Sequence, residues 1–84
     1  MALIQNALSL GKKMQEARSA KGMTQAELAA RVQCARKTII ALEAGANTST
    51  YTLFRALSEL GLAVDLQPQR VDLSFLDSLV EPYQ

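Results

Sequence analysis

Apolar residues recur at helical spacing in four successive stretches of the chain, and a fifth stretch changes to alternation. Leu10, Met14 and Ala17 share one face of a helix that Asn6 can cap and that runs to about Lys21, with Gly22 just past its end. Thr24 and Glu27 then stand at the spacing of a capping box, in which each side chain accepts the other residue's backbone N–H. Leu28, Ala29 and Val32 form the inner face of the short helix so begun. After Gln33 and Cys34 a second short helix turns Thr38, Ile39 and Leu42 inward and leaves Arg36, Lys37, Ile40 and Ala41 outward. Residues 23–45 therefore have the spacing of a helix-turn-helix, and the outward side of the second helix is the side a DNA major groove would meet. A loop over 45–48 follows. Ser49 caps a fourth helix with Thr52 three positions on, its apolar stripe is Leu53, Phe54, Leu57 and Leu60, and Gly61 ends it.

Residues 62–67 alternate apolar with small or polar side chains, which suits a short strand stopped by Pro68. One strand has no partner in an otherwise helical chain, and the same strand of a second copy can supply one, with Leu62, Val64 and Leu66 as the dimer residues. The other reading is an extended segment lying on its own domain. Beyond it, Leu73, Phe75, Leu76, Leu79 and Val80 lie among acidic residues. Asp72 or Ser74 can cap a short fifth helix there, or Leu73, Phe75, Leu76 and Leu79 can dock a partner protein. The expected organisation is a domain over 6–67 and a separate C-terminal segment over 68–84.

Composition narrows the function more than the fold. At 84 residues the chain makes one small domain with little core to spare for a catalytic cleft, and 49% hydrophobic residues exclude wholesale disorder. There is no histidine and one cysteine, Cys34, so the commonest general base, a multi-cysteine metal cluster and an internal disulfide are all excluded. No cofactor, metal or enzymatic activity is expected. No apolar run is long enough to span a bilayer and no leader is evident, so the expected location is cytoplasmic, with no membrane partner. The net charge of +1 hides a division, because residues 1–45 carry +4 and residues 46–84 carry −3. A basic front half suits a polyanion.

Double-stranded DNA gives these charges named roles. Gln25 opens the first motif helix, where its side chain can bond a phosphate beside free backbone N–H groups. Arg36 and Lys37 can reach base edges, arginine being matched to the paired acceptors of guanine, while Ile40 and Ala41 can pack on thymine methyls. Lys12 and Lys13 are candidate phosphate contacts or plain solvated charges. Thr38 is either a packed residue or a further phosphate contact.

The segment Gly22-Met23-Thr24-Gln25-Ala26-Glu27-Leu28-Ala29, with Thr38-Ile39, Leu42-Glu43 and Gly45, resembles the Xre/Cro family of DNA-binding domains. That resemblance implies an all-α, lambda-repressor-like fold of four or five helices with a short C-terminal dimerising strand. It also implies a buried ion pair between Arg18 and Glu43. Two positions depart from the family pattern. Gln33 stands where glycine is usual, and holding a non-glycine residue at positive φ costs roughly 1 kcal/mol. Ala35 stands where the family has a Ser or Thr cap, whose loss costs on the order of 1 kcal/mol.

Residues 47–60, followed by Leu62-Ala63-Val64-Asp65-Leu66, are further similar to HipB-type antitoxins. Such proteins repress their own toxin–antitoxin operons as homodimers and bind a HipA-like serine/threonine kinase toxin, which implies those partners here. Two other readings stand beside this one. They are a stand-alone phage-type or restriction-controller repressor, and a protein-interaction module that has lost DNA binding.

Overall fold

Three of the four helices begin at a residue whose side chain takes up a free backbone N–H, and each of the four is brought to its end by a residue in the left-handed region. The computed structural model describes residues 3–68, and in it α1 spans Ala7–Ala20, α2 Gln25–Val32, α3 Arg36–Glu43 and α4 Thr50–Glu59. The Asn6 side chain accepts the Ser9 N–H at 2.8 Å and the Ser49 hydroxyl accepts the Thr52 N–H at 3.0 Å. At α2 the capping box is complete: Thr24 Oγ1 accepts the Glu27 N–H at 3.0 Å, and Glu27 Oε1 accepts the Thr24 N–H at 2.8 Å. The bond from the Thr24 backbone, and after it the Thr24 hydroxyl, holds the Glu27 carboxyl below the usual carboxylate range. It therefore stays ionised at neutral pH beside the positive end of the α2 dipole. Its stabilising effect is present above the ordinary carboxylate pKa and is lost as pH falls through the lowered one.

The four C-termini share one device. A residue at positive φ turns the chain, and the next N–H reaches back to a carbonyl in the last turn, as Met23 does to Arg18, Cys34 to Ala29, Ala46 to Ala41 and Leu62 to Leu57. Glycine occupies three of the turning positions, and Gln33, at φ 64°, occupies the fourth. The one strained terminus is thus the turn of the helix-turn-helix itself. On the far side of that turn, Ala35 makes no side-chain cap bond to α3.

α2 and α3 have eight residues each, below the roughly 12–15 that an isolated helix needs in water. Packing has to hold them. α2 lies against both α3 and α4, and α3 lies against α1. Their shared core is Met14, Leu28, Ala29, Val32, Ile39, Leu42, Ala56, Leu57 and Leu60, with Leu10, Ala17, Met23, Cys34, Leu53 and Leu62 packed around it. Each fully buried large side chain contributes about 1.5–3 kcal/mol. Such gains more than offset the missing cap and the strained turn.

One predicted core residue is not in the core. Phe54 is 51% exposed, and the buried stripe of α4 is instead Leu53, Ala56, Leu57 and Leu60. Leu53 and Phe54 are about 100° apart around the helix, and it is Leu53 that packs against the core. Residues 62–68 carry no regular secondary structure, and the described residues contain helices and no strand, so the expected strand has no ladder partner among them. The expected fifth helix and the docking residues Leu73, Phe75, Leu76 and Leu79 lie outside the described residues. No helix among those described is long and apolar enough to cross a membrane, and no cluster of three or more potential ligands that could hold a metal occurs among them.

Gly11, in the middle of α1, is buried because α1 and α3 touch there backbone to backbone. A Cβ at Gly11 would lie 2.4 Å from the Glu43 carbonyl oxygen and 2.5 Å from that of Leu42. Gly11→Ala should therefore destabilise the domain by roughly 1–2 kcal/mol, since overpacking against a backbone outweighs the ~1 kcal/mol gain in helix propensity. Urea denaturation checks this, and an unchanged or raised midpoint would contradict the close approach.

Candidate nucleic-acid interface

The motif is organised around a charge cluster that begins in α1. Arg18 reaches the end of α3, where its Nε donates to Glu43 Oε2 at 2.6 Å and one of its terminal nitrogens donates to Oε1 at 3.2 Å. The other terminal nitrogen donates to the Met23 carbonyl at 2.7 Å, just before α2. Side-chain exposure is 11% for Arg18 and 5% for Glu43, so this is a buried, bidentate pair with its hydrogen-bonding capacity largely used. Gln25 completes the arrangement: its Nε2 donates to Glu43 Oε1 at 3.0 Å, and its Oε1 accepts from Arg36 at 3.2 Å. The side chain expected to meet a phosphate is thus half-buried and engaged at both ends of its amide.

Arg36 and Lys37 are exposed in the first turn of α3, Ile40 is 41% exposed, and Thr38 and Ala41 are half-buried. Two shallow hollows adjoin this turn. Arg36 lines one with Thr24, Gln25 and Ala26, and Lys37 lines the other with Thr38, Ala41, Asn47, Thr48 and Ser49. The only acidic residue of α3, Glu43, is neutralised by Arg18, so the first turn presents cationic charge without a competing carboxylate of its own helix. Lys12 and Lys13 are exposed on α1, and Lys13 pairs with Glu16 of the same helix at 3.7 Å. They directly follow Gly11, which packs on the opposite end of α3 from Arg36.

Asn47 and Thr48 were not among the candidate residues. They share a hollow with Lys37 because the chain turns back sharply at Gly45, where a Cβ would come within 2.8 Å of the Leu8 backbone. The run of small and polar residues immediately after α3 was the only available signal. The Gln25–Glu43 bond had none, since nothing local links positions so far apart in the chain.

This arrangement of α2, turn and α3 defines a helix-turn-helix protein, and the helix-turn-helix family pattern matches residues 14–67. Among solved structures, a chain of the HipA-HipB-O2-O3 complex is 30% identical, with a TM-score of 0.75 over 83% of this chain and 100% of that one. The HipB-O4 20mer complex matches at the same identity, TM-score and coverage. The HipB-O1-O2 complex matches at 30% identity and a TM-score of 0.73, over 81% of this chain and 100% of that one. No curated protein matches significantly. The chain belongs to the Xre-type helix-turn-helix family and is HipB-like.

Removing one partner of a buried ion pair strands the other charge, so Arg18→Ala and Glu43→Ala should each cost roughly 3 kcal/mol. The double variant should lose less than the sum. A denaturant double-mutant cycle measures this coupling, and additive losses would mean that the pair is not energetically linked.

Proposed function

We propose that this chain is a sequence-specific, DNA-binding transcriptional repressor that acts as a homodimer and serves as the autoregulating antitoxin of a HipBA-like toxin–antitoxin operon. The observation that carries the DNA reading is the pair Arg36 and Lys37, exposed in the first turn of α3 and free of any acidic neighbour on that helix. In this reading Arg36 and Lys37 read base edges and Ile40 and Ala41 pack on thymine methyls. Thr38 and Gln25 approach phosphates beside the starts of α3 and α2, and Lys12 and Lys13 add charge to the backbone contacts.

The antitoxin role draws on the similarity to HipB chains, one of them in a complex with HipA. A HipA-like serine/threonine kinase toxin is accordingly the proposed protein partner, with Leu73, Phe75, Leu76 and Leu79 as its docking residues. The homodimer draws on residues 62–67. Val64 is 47% exposed and Leu66 is 90% exposed, on backbone that has no ladder within the described chain. Pairing that segment with a second copy would satisfy the backbone groups and give the assembly two recognition helices, one for each half-site.

Arg36→Ala should weaken operator binding by about 1–3 kcal/mol and relax preference at one base pair. In fluorescence-anisotropy titrations of DNA from upstream of the gene, wild-type affinity should fall steeply with added salt. An Arg36→Ala/Lys37→Ala double variant that binds like wild type would place the DNA-binding face elsewhere.

Leu62 packs on its own core, so the dimer is better tested at its exposed neighbours. Val64→Lys with Leu66→Lys should give a folded monomer in sedimentation velocity, with weaker binding to a two-half-site operator. Retention of the wild-type dimer would move the interface away from residues 62–67.

A further inference from the structure

Leu3, Ile4 and Leu8 are large apolar side chains left 51%, 45% and 53% exposed around the start of α1. Neither the core nor the DNA-facing turn uses them. Their base is held in place: the Asn6 cap bond fixes the first turn of α1, and the Leu8 backbone lies so close to Gly45 that a Cβ there would come within 2.8 Å. Gly45 follows the end of α3 that is remote from Arg36. Cationic charge borders this apolar surface, because residues 1–15 carry Lys12 and Lys13 and no acidic residue. Lys12 stands four positions after Leu8 on the same stripe of α1 and makes no ion pair among the described residues, whereas Lys13 pairs with Glu16. A matching occupant would be apolar with an acidic margin. Residues 69–84 have that make-up, since Leu73, Leu76, Leu79 and Val80 recur at helical spacing and Asp77 and Glu81, one turn apart, fall beside them.

We propose that residues 72–81 of the same chain seat on the Leu3, Ile4 and Leu8 surface, with Asp77 and Glu81 facing Lys12 and Lys13. The seat goes beyond the toxin-docking reading and does not need it: it occupies the apolar residues of the segment in the free protein, and a toxin would take them in a complex. Reach is sufficient. The residues from Pro68 to Leu76 extend up to about 27 Å, the width of a domain this size. So short a tether gives an effective concentration on the order of millimolar, and a contact too weak to hold a free peptide is then populated in the intact chain. Apolar side chains supply the attraction. Exposed ion pairs contribute little to it, but they select among seats. The exposed apolar residues of α4, Tyr51 and Phe54, are near an engaged cation, since Arg55 lies over the Tyr51 ring and donates to Gln33. Val64 and Leu66 stand on the segment proposed to pair two copies. The α1 surface offers apolar area together with an unpaired lysine.

The test reads backbone amide chemical shifts of the isotope-labelled full chain, free of DNA and of any partner protein. Leu76→Ser with Leu79→Ser should shift the signals of residues 3–12 and leave those of α4 and of the first turn of α3 in place. In the reverse direction, Leu8→Ser should shift the signals of residues 72–81. Lys12→Glu with Lys13→Glu should displace those signals the same way, and Lys12→Gln with Lys13→Gln should displace them less. Circular dichroism checks that each variant is folded, and the exposed positions chosen leave the core intact. Signals of residues 3–12 that ignore the Leu76→Ser/Leu79→Ser change overturn the proposal, as does a response confined to α4. A response at residues 3–12 that fades on dilution, as sedimentation shows the copies separating, would put a second copy on this surface and also overturns it. Operator affinity is read separately by anisotropy and should be the same in Leu8→Ser as in wild type. A wild-type chain that binds no operator would sink the DNA reading and leave the seat standing.

Discussion

The Arg18–Glu43 pair is the interaction on which the rest of this domain depends. Through it one guanidinium touches the end of α3 and the segment leading into α2, while standing on the last turn of α1. A buried ion pair adds little net stability compared with well-packed apolar residues of the same volume. Its value here is directional. An apolar pair could fill the space, but it could not bind the Met23 carbonyl or orient the Gln25 amide. Among the described residues no buried side-chain nitrogen or oxygen lacks a partner, so the charge is taken out of water without a stranded group beside it.

Around that pair the helices approach more closely than ordinary side chains permit. Gly11 lets α1 rest on the last carbonyls of α3, and Gly45 lets the chain leave α3 across the backbone of Leu8. These contacts clamp the C-terminal half of α3. Its N-terminal half is left without a side-chain cap and points Arg36 and Lys37 at solvent. A short helix that is fixed at one end and polar at the other is suited to being inserted into a groove without losing its own packing. The strain at Gln33 sits in the same turn, where the direction of α3 is set.

Local rules made much of this legible. Asn6, Thr24 with Glu27, and Ser49 each act over three residues, so their spacing alone identifies three helix starts. Gly22 and Gly61 mark ends for the same reason. Phe54 shows where such rules stop. Its position fits an apolar stripe as well as Leu53 does, and periodicity has no means of choosing between neighbours 100° apart. The choice belongs to the assembled core, which takes Leu53 and leaves Phe54 in water.

What the amino-acid sequence determined by itself is the set of short-range decisions: four helices, their caps, the turn between α2 and α3, and the cationic outward face of α3. These follow from hydrogen bonds and steric limits within a few residues, which are the same whatever surrounds them. The tertiary structure alone decided which side chains meet across the fold. Gln25 was legible as a phosphate contact, and its bonds to Glu43 and Arg36 exist only because α3 brings those residues to its two ends; the close approach at Gly11 likewise exists only because α3 lies against it. Such contacts depend on crossing angles and helix offsets that sum over the whole core, and no window of the chain contains them.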